Sequence, residues 1–384
     1  MHNTRYIVYE ECIDRNCKDV FNSFSGLKFQ PSYSVKTNYI PNVVNRFYEN
    51  GFKVEVVSDM ELLLAFRLGV KPSDIIYNGP VKGSHAHILA NEGGIISFDS
   101  MFDFERFVEN RVDCHGVKCM FRTAIDTGNG IVTRFGELPI RIPMLVELAI
   151  EKGFEVVGLH CHCTKARSIQ GWRKRLETMA SVYDLCKDKL STKIVDFGGN
   201  MYSRIPKCIE AHFGEYVSYE QYADLFREYA PRFEYATFYL EMGTSVVSDC
   251  MGFETEVLDI KHRKDETYIL VDCSNYNLGW ASRDVNYPVS IVHDYSKQKE
   301  TVTNAKFVGT LCTENDIMYR GFDGNIGRGD IIRFDNVGSY SFVTTPPFIR
   351  PQFPVFYESN GNEKLVMRGQ SFNDVFSCFN FQER

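Results

Sequence analysis

The chain has 384 residues, a length that suggests two domains or a large barrel with an attachment. Hydrophobic residues make up 44% and charged residues 24%, as in an ordinary globular protein, and the net charge of -7 gives no general attraction to nucleic acid or anionic membrane. No apolar run is long enough to span a bilayer, and the opening MHNTRYIVYEECIDRNC lacks the apolar core of a signal peptide, so a cytoplasmic protein is expected. The 12 cysteines are scattered, many inside apolar segments and without paired CxxC motifs, which argues against disulfides and structural zinc.

In chain order, RYIVYEE comes first and is strand-like; it is expected to join a sheet formed later in the chain. From residue 28 to about 245, strand-like and helix-like segments alternate. The strand candidates are PSYSVK (31–36), KVEVVS (53–58), IIYNG (75–79), GIISFDS (94–100), VKCMFRTA (117–124), VVGLHCHC (156–163), KIVDFGG (193–199) and TFYLEMG (237–243). Between them lie amphipathic stretches such as NVVNRFYENG and YEQYADLFREYA, with apolar residues near i, i+3, i+4 and i+7. Eight such units match the size of a TIM (β/α)8 barrel. A doubly wound sheet is the runner-up, but its Gly-rich turn after the first strand is missing. From Val246 the segments become short, β-branched and separated by turn residues, which reads as an antiparallel β domain. The expected division is residues 24–245 as the barrel, and residues 1–23 with 246–384 as the β domain.

In such a barrel the functional groups sit at the carboxyl ends of the strands. Those ends carry Lys36, Ser58, Asn78, Asp99, Arg122, His162, Gly198–Gly199 and Glu241–Gly243. A lysine at a strand end is by itself ordinary, since it reaches solvent. Grouped with the others it forms a kit: an amine that can condense with an aldehyde, an imidazole to stack on a ring, glycine amides for a phosphate, and a carboxylate for a ring nitrogen. That inventory suits pyridoxal 5'-phosphate. Two other patterns lead nowhere. On a strand, the two His of HCHC (His160 to Cys163) face one way and the two Cys the other, so no four-ligand metal site is expected. DFGG resembles the kinase metal motif, but the chain has no matching Gly-rich loop or HRD partner.

The motifs, in their order, resemble those of the fold-type III pyridoxal-phosphate decarboxylases, the family of ornithine and diaminopimelate decarboxylases. YSVKTN is similar to YAxKAN, GLHCHCTKA to GLHCHIGSQ, DFGGN to DxGGG, LEMGTSVV to EPGRxxV, GTLCTENDIM to GPxCxxxD, and GSYSF to GAYS. The resemblance covers nearly the whole chain and implies an alanine racemase-like barrel with a C-terminal β domain. It makes Lys36 the lysine that carries the cofactor and His162 the residue stacked on it. Gly198, Gly199 and Asn200 become the phosphate loop, Glu241 the partner of the ring nitrogen, and Gly243 and Thr244 the segment beside it. It places Tyr340 at the phosphate and makes Cys312, supplied by a second subunit, the proton donor to the carbanion; a homodimer follows. Taken alone, Cys312 and Tyr340 would pass for core residues. Asp316 matches the aspartate that follows the cysteine in the family, a position open to a structural role.

The departures bear on substrate. Thr244 stands where the family has arginine, and Thr313 where it has the acid that reads the far end of the substrate. Glu314 is next to it, but strand alternation would point it away. Thr164-Lys165 replace Gly-Ser, Asn200 replaces a glycine, and Arg134 stands where lysine is usual. Lys165 offers a charge for the phosphate or for an acidic substrate. These changes point to a decarboxylase of a non-standard amino acid, or of an aminocarboxypropyl-type conjugate, in specialised metabolism. The alternatives are a primary-metabolism diaminopimelate or ornithine decarboxylase, an amino-acid racemase, which Glu241 disfavours, and a non-catalytic cofactor-binding subunit.

Overall fold

The computed structural model describes residues 4–381 apart from 111, 112, 203 and 215. Its strands are β1 (Arg5–Tyr9), β2 (Phe29–Ser34), β3 (Lys53–Val56), β4 (Ile75–Tyr77), β5 (Ile95–Phe98), β6 (Lys118–Thr123), β7 (Glu155–Cys161), β8 (Ile194–Asp196) and β9 (Thr237–Met242), followed by β10 (Met251–Arg263), β11 (Glu266–Val271), β12 (Val289–His293), β13 (Lys299–Val308), β14 (Ile317–Gly327), β15 (Ile331–Phe334), β16 (Val355–Ser359) and β17 (Asn362–Met367). The chain divides into two compact units.

One unit holds Asp14–Arg204 and Gly214–Val246. Its strands β2 to β9 pair in parallel and close as β9 meets β2, with Ser32 opposite Glu241. All eight expected barrel strands are present. The strands are near-continuous apolar runs because both faces are covered. Inside, Ile76, Ile95, Met120, Val157, Ile194 and Tyr239 form one cluster, a residue from each of six consecutive strands. Other aromatics pack strands to helices: Phe98 meets Phe104, Phe107, Phe121 and Phe154, and Phe197 meets Phe226, Phe233 and Phe238. Gly158 lets β7 approach β8; an added Cβ would lie 2.2 Å from the Ile194 carbonyl oxygen. Serines start several covering helices: the side chains of Ser58, Ser100, Ser168 and Ser218 accept from backbone N–H groups of the first turn.

The other unit comprises the segment up to Ile13, Ile205–Phe213 and Val247–Arg384. Its sheet runs β14-β13-β11-β10-β1-β16-β17, with β15 pairing β10 and β12. The opening strand β1 joins this sheet between β10 and β16, as its sequence suggested. The sheet is mixed rather than antiparallel, because β1–β16 and β11–β13 are parallel pairs. Strands from distant parts of the chain can align either way, whereas only neighbours joined by short turns are bound to be antiparallel.

The boundaries differ from the expected ones at 24 and 246. Residues 14–23 lie with the barrel: Asn16 Nδ2 donates to the Val246 carbonyl at 2.9 Å, and Cys17 and Val20 are buried. Ile205–Phe213, expected in the barrel, goes with the sheet unit. Among the described residues, no helix is long and apolar enough to cross a membrane.

Candidate active site

Strand β2 stops at Ser34, and the chain turns through a 3-10 helix at Val35–Thr37 that carries Lys36. The Tyr33 hydroxyl donates to the Asn38 carbonyl at 2.9 Å, and Asn38 Oδ1 accepts from Ile40 N at 3.1 Å, which fixes the turn ahead of the helix that starts at Pro41. Lys36 is therefore not a strand residue running out to solvent. Its Nζ lies 2.6 and 2.8 Å from the two oxygens of Glu55, a carboxylate 1% exposed on β3.

Registers bring the other groups together. Across β6, β7 and β8, Arg122 pairs with His160 and His160 with Asp196; across β9 and β2, Glu241 faces Ser32. Asn78, at the end of β4, donates to Glu55 at 3.3 Å and also to Glu241. Glu241 is buried, with His160 Nε2 at 3.4 Å from one oxygen and His162 Nδ1 at 3.6 Å from the other. His162 follows β7, and its Nδ1 accepts from Gly199 N at 3.0 Å. Arg122 donates to the His162 carbonyl at 3.3 Å and pairs with Asp99 at 3.3 Å.

Glycines make the close approaches possible. Gly198 has φ +63, and an added Cβ would lie 2.6 Å from the Cys161 carbonyl oxygen; one at Gly199 would lie 2.3 Å from that of Glu241. A Cβ at Gly243 would lie 2.3 Å from Thr37 Oγ1. The turn Gly198–Asn200 is braced from behind by the fully buried Arg175, which donates to the carbonyls of Phe197 and Gly199 at 2.9 Å, of Ala166 at 3.3 Å and of Cys163 at 3.4 Å.

Burial controls the protonation of these groups. Desolvation raises Glu241 above the ordinary carboxylate range, although Lys36, Arg122 and the Asn78 hydrogen bond pull it down. Desolvation raises Asp196 well above that range, and the Glu241 charge adds to the effect. Desolvation holds His160 and His162 well below the usual imidazole value, so both rings are neutral. Burial pushes Glu61, whose carboxylate accepts from Val57 N at 2.8 Å, up to about 7.

The remaining expected residues fall in two places. In the barrel unit, Arg134 and Lys165 are exposed; Arg134 lies over the Phe135 ring at 3.9 Å and Lys165 has φ +56. Thr244 is half-buried in the short helix Thr244–Val247. In the sheet unit, Cys312, Thr313 and Glu314 are all exposed on the connection between β13 and β14. The alternation argument applied to Glu314 therefore fails, because bends and turns have no two-residue period. Cys312 is not a core cysteine either. Asp316 shapes this connection: its carboxylate accepts from Asn275 N at 2.8 Å and from Leu311 N at 2.9 Å. Tyr340 is half-buried with φ +53.

Glu55, Glu61, His160, Arg175 and Asp196 were missed as site residues by sequence reasoning. Glu55 had a signal, a lone carboxylate among the valines of KVEVV. His160 was passed over because HCHC was weighed only as a four-ligand cluster; its ligand atom in fact lies within 4.8 Å of those of Asp196 and Glu241, which come from other strands.

Two family descriptions match the chain: "Pyridoxal-dependent decarboxylase, pyridoxal binding domain" over residues 10–248, and "Pyridoxal-dependent decarboxylase, C-terminal sheet domain" over residues 180–338. Among similar proteins is a diaminopimelate decarboxylase of Methanothermobacter thermautotrophicus, 24% identical over 99% of this chain and 92% of that protein. Another is the L-glutamyl-[BtrI acyl-carrier protein] decarboxylase of Niallia circulans, 25% identical over 89% of this chain and 86% of its own. Among solved structures, the diaminopimelate decarboxylase from M. jannaschi superimposes with a TM-score of 0.85 at 19% identity, covering 98% of this chain and 92% of its own.

The residues present fit the cofactor. Glu241 is a buried carboxylate raised by desolvation, with an amide and two neutral imidazoles around it; a ligand's ring N–H⁺ is the partner that would let it ionise. Asn78 Oδ1, Thr37 Oγ1 and Asp196 Oδ2 are buried without a hydrogen-bond partner among the described residues. With the family matched over most of the chain and the donor set suited to its cofactor, the chain belongs to the pyridoxal-dependent decarboxylases, whose cofactor is pyridoxal 5'-phosphate.

Proposed function

We propose that this decarboxylase removes the α-carboxylate from a non-standard amino acid, or from an amino acid carried on a larger conjugate, in specialised metabolism. When bound, the cofactor supplies an electron sink for the pair left behind as carbon dioxide departs. The chain's own groups do the rest. Lys36, held by Glu55, presents its amine where the cofactor carbonyl would sit. His162 would stack its ring on the cofactor, and Glu241 would hold a proton on its ring nitrogen. The turn Gly198, Gly199 and Asn200 would take the phosphate, with Gly243 and Thr244 in the same barrel unit; Tyr340 is assigned to the phosphate by the family resemblance alone. The partner subunit's Cys312 delivers a proton to the α-carbon, which requires a homodimer; its exposure on a turn suits a group that must reach another chain.

The substrate reading rests on Thr313, a neutral residue where the resemblance places an acid. A hydroxyl cannot pair with a distal ammonium as a carboxylate does. Arg134 and Lys165, both exposed cations of the barrel unit, suit an acidic or carrier-borne group. A relative named for a glutamyl group on an acyl carrier protein gives this reading a precedent in the family. One observation favours a second reading, a diaminopimelate-type substrate: Glu314 shares an exposed turn with Thr313 and can face the same way.

The test is carbon dioxide release from a panel of diaminopimelate, ornithine, lysine, arginine, glutamate and aspartate, together with carrier-linked glutamate and aminocarboxypropyl conjugates. Turnover of a conjugate, with free amino acids inert, is the expected result. Turnover of diaminopimelate that is lost in Glu314→Gln would overturn it in favour of the second reading.

A further inference from the structure

A phosphate dianion at the turn Gly198–Asn200 would need a cationic partner, and Thr244, standing where the resemblance has arginine, supplies none. We infer that Arg167, on the loop after β7, provides the cationic contact to the cofactor phosphate. The inference rests on the proposed reading of Gly198–Asn200 as the phosphate turn.

Arg167 Nε donates to Asn200 Oδ1 at 3.0 Å, so the guanidinium is tied to the third residue of that turn. Its plane lies over the Tyr202 ring at 3.9 Å, and the Tyr222 hydroxyl donates to the Arg167 carbonyl at 2.6 Å. Asn200, at φ +75, donates back through Nδ2 to the Cys163 carbonyl at 2.8 Å. Arg175 bonds to Ala166 on one side and Gly199 on the other. The loop 163–167 and the turn 198–200 are thus one hydrogen-bonded body, with the guanidinium anchored at its nitrogen and across its face. A fork held in this way matches phosphate oxygens and has little side-chain freedom left to lose. Burial lowers the pKa of Arg167 from its ordinary value, the mark of a partly desolvated cation that an anion would stabilise. Lys165, two residues earlier, is exposed and has no such anchoring among the described residues.

The measurement is the affinity of cofactor-free protein for pyridoxal 5'-phosphate and for pyridoxal, which lacks the phosphate, by spectral titration. Arg167→Gln and Arg167→Ala should lose about tenfold or more in affinity for the phosphorylated ligand, with little change for pyridoxal. Arg167→Lys should recover part of the loss, and Lys165→Ala should behave as wild type. Equal loss for both ligands would mean that Arg167 only braces the loop; selective loss in Lys165→Ala alone would move the role to Lys165. Either overturns the inference. Asn200→Asp, which puts a negative charge in the turn, separates the two readings. If it selectively weakens the phosphorylated ligand while the Arg167 variants do not, the Arg167 assignment alone fails. If neither substitution discriminates, the phosphate turn itself is misplaced. Far-UV circular dichroism checks folding, and Arg167→Gln keeps a polar donor should the alanine variant be unstable.

Discussion

At the scale of single residues, the site is a set of carboxylates and imidazoles kept away from their ordinary protonation by burial. Glu61 shows the consequence most directly. Its ordinary value is 4.5, and burial raises it to about 7 in the fold. The folded state then binds this proton more tightly than the unfolded state. Its contribution to stability is full below the unfolded value and is lost as pH rises through the folded one. Glu61→Gln can still accept from Val57 N but cannot ionise. Its melting temperature should therefore fall less than that of the wild type between about pH 5 and about pH 8; equal slopes would show that Glu61 is not the titrating group. Asp196 and Glu241 are raised in the same direction, so the substitution should remove only part of the slope. Lys36, His162 and Glu241 were legible in the sequence as candidates because each sits in a motif at the end of an apolar segment. Glu55, within β3, and Asp196, which ends β8, lie on strands, where only barrel closure reveals which way they face.

At the scale of elements, the glycine turn after β8 depends on a side chain from another element. Arg175, on the helix Ile169–Cys186, satisfies four carbonyl groups at once and is 0% exposed. Arg175→Met keeps the apolar stem but leaves those carbonyls without a donor. It should cost about 3 kcal/mol, read as a lower urea midpoint at unchanged slope. An unchanged midpoint would mean that water replaces the guanidinium. The strands of the barrel were legible because parallel strands buried on both faces are apolar runs bounded by turn residues. Their ends were less so: Lys36 was read as the last residue of a strand, but the chain has already turned into a 3-10 helix. The Cys312 connection was read with strand periodicity for the same reason, since apolar composition alone does not say where extension stops.

At the scale of the whole molecule, the proposal requires two chains, each supplying what the other lacks. Light scattering should give twice the chain mass of 44.2 kDa. Mixing inactive Lys36→Ala and Cys312→Ala proteins should restore about a quarter of wild-type activity, because half of the random dimers carry one intact site. Mixtures that stay inactive under exchange would place both residues in one chain's site. The two-unit division was also only partly legible. The change of pattern near Val246 is a matter of composition, but the assignment of residues 14–23 to the barrel unit depends on contacts such as Asn16 with Val246.

The sequence by itself determined the barrel, the β domain that follows it and the cofactor, and it nominated the candidate site residues, because apolar strand runs, helix periodicity and six ordered motifs are local properties of the chain. Only the tertiary structure decided that Glu55 holds Lys36, that Arg175 braces the glycine turn, that Arg167 lies against Asn200, and that Thr313 and Glu314 share an exposed turn. The contacts Glu55–Lys36, Arg175–Gly199 and Arg167–Asn200 join residues 19, 24 and 33 positions apart, and no local period encodes them. They exist because closing eight strands into a ring sets the register of each strand against its neighbours, and that register chooses which polar side chains meet at the barrel mouth.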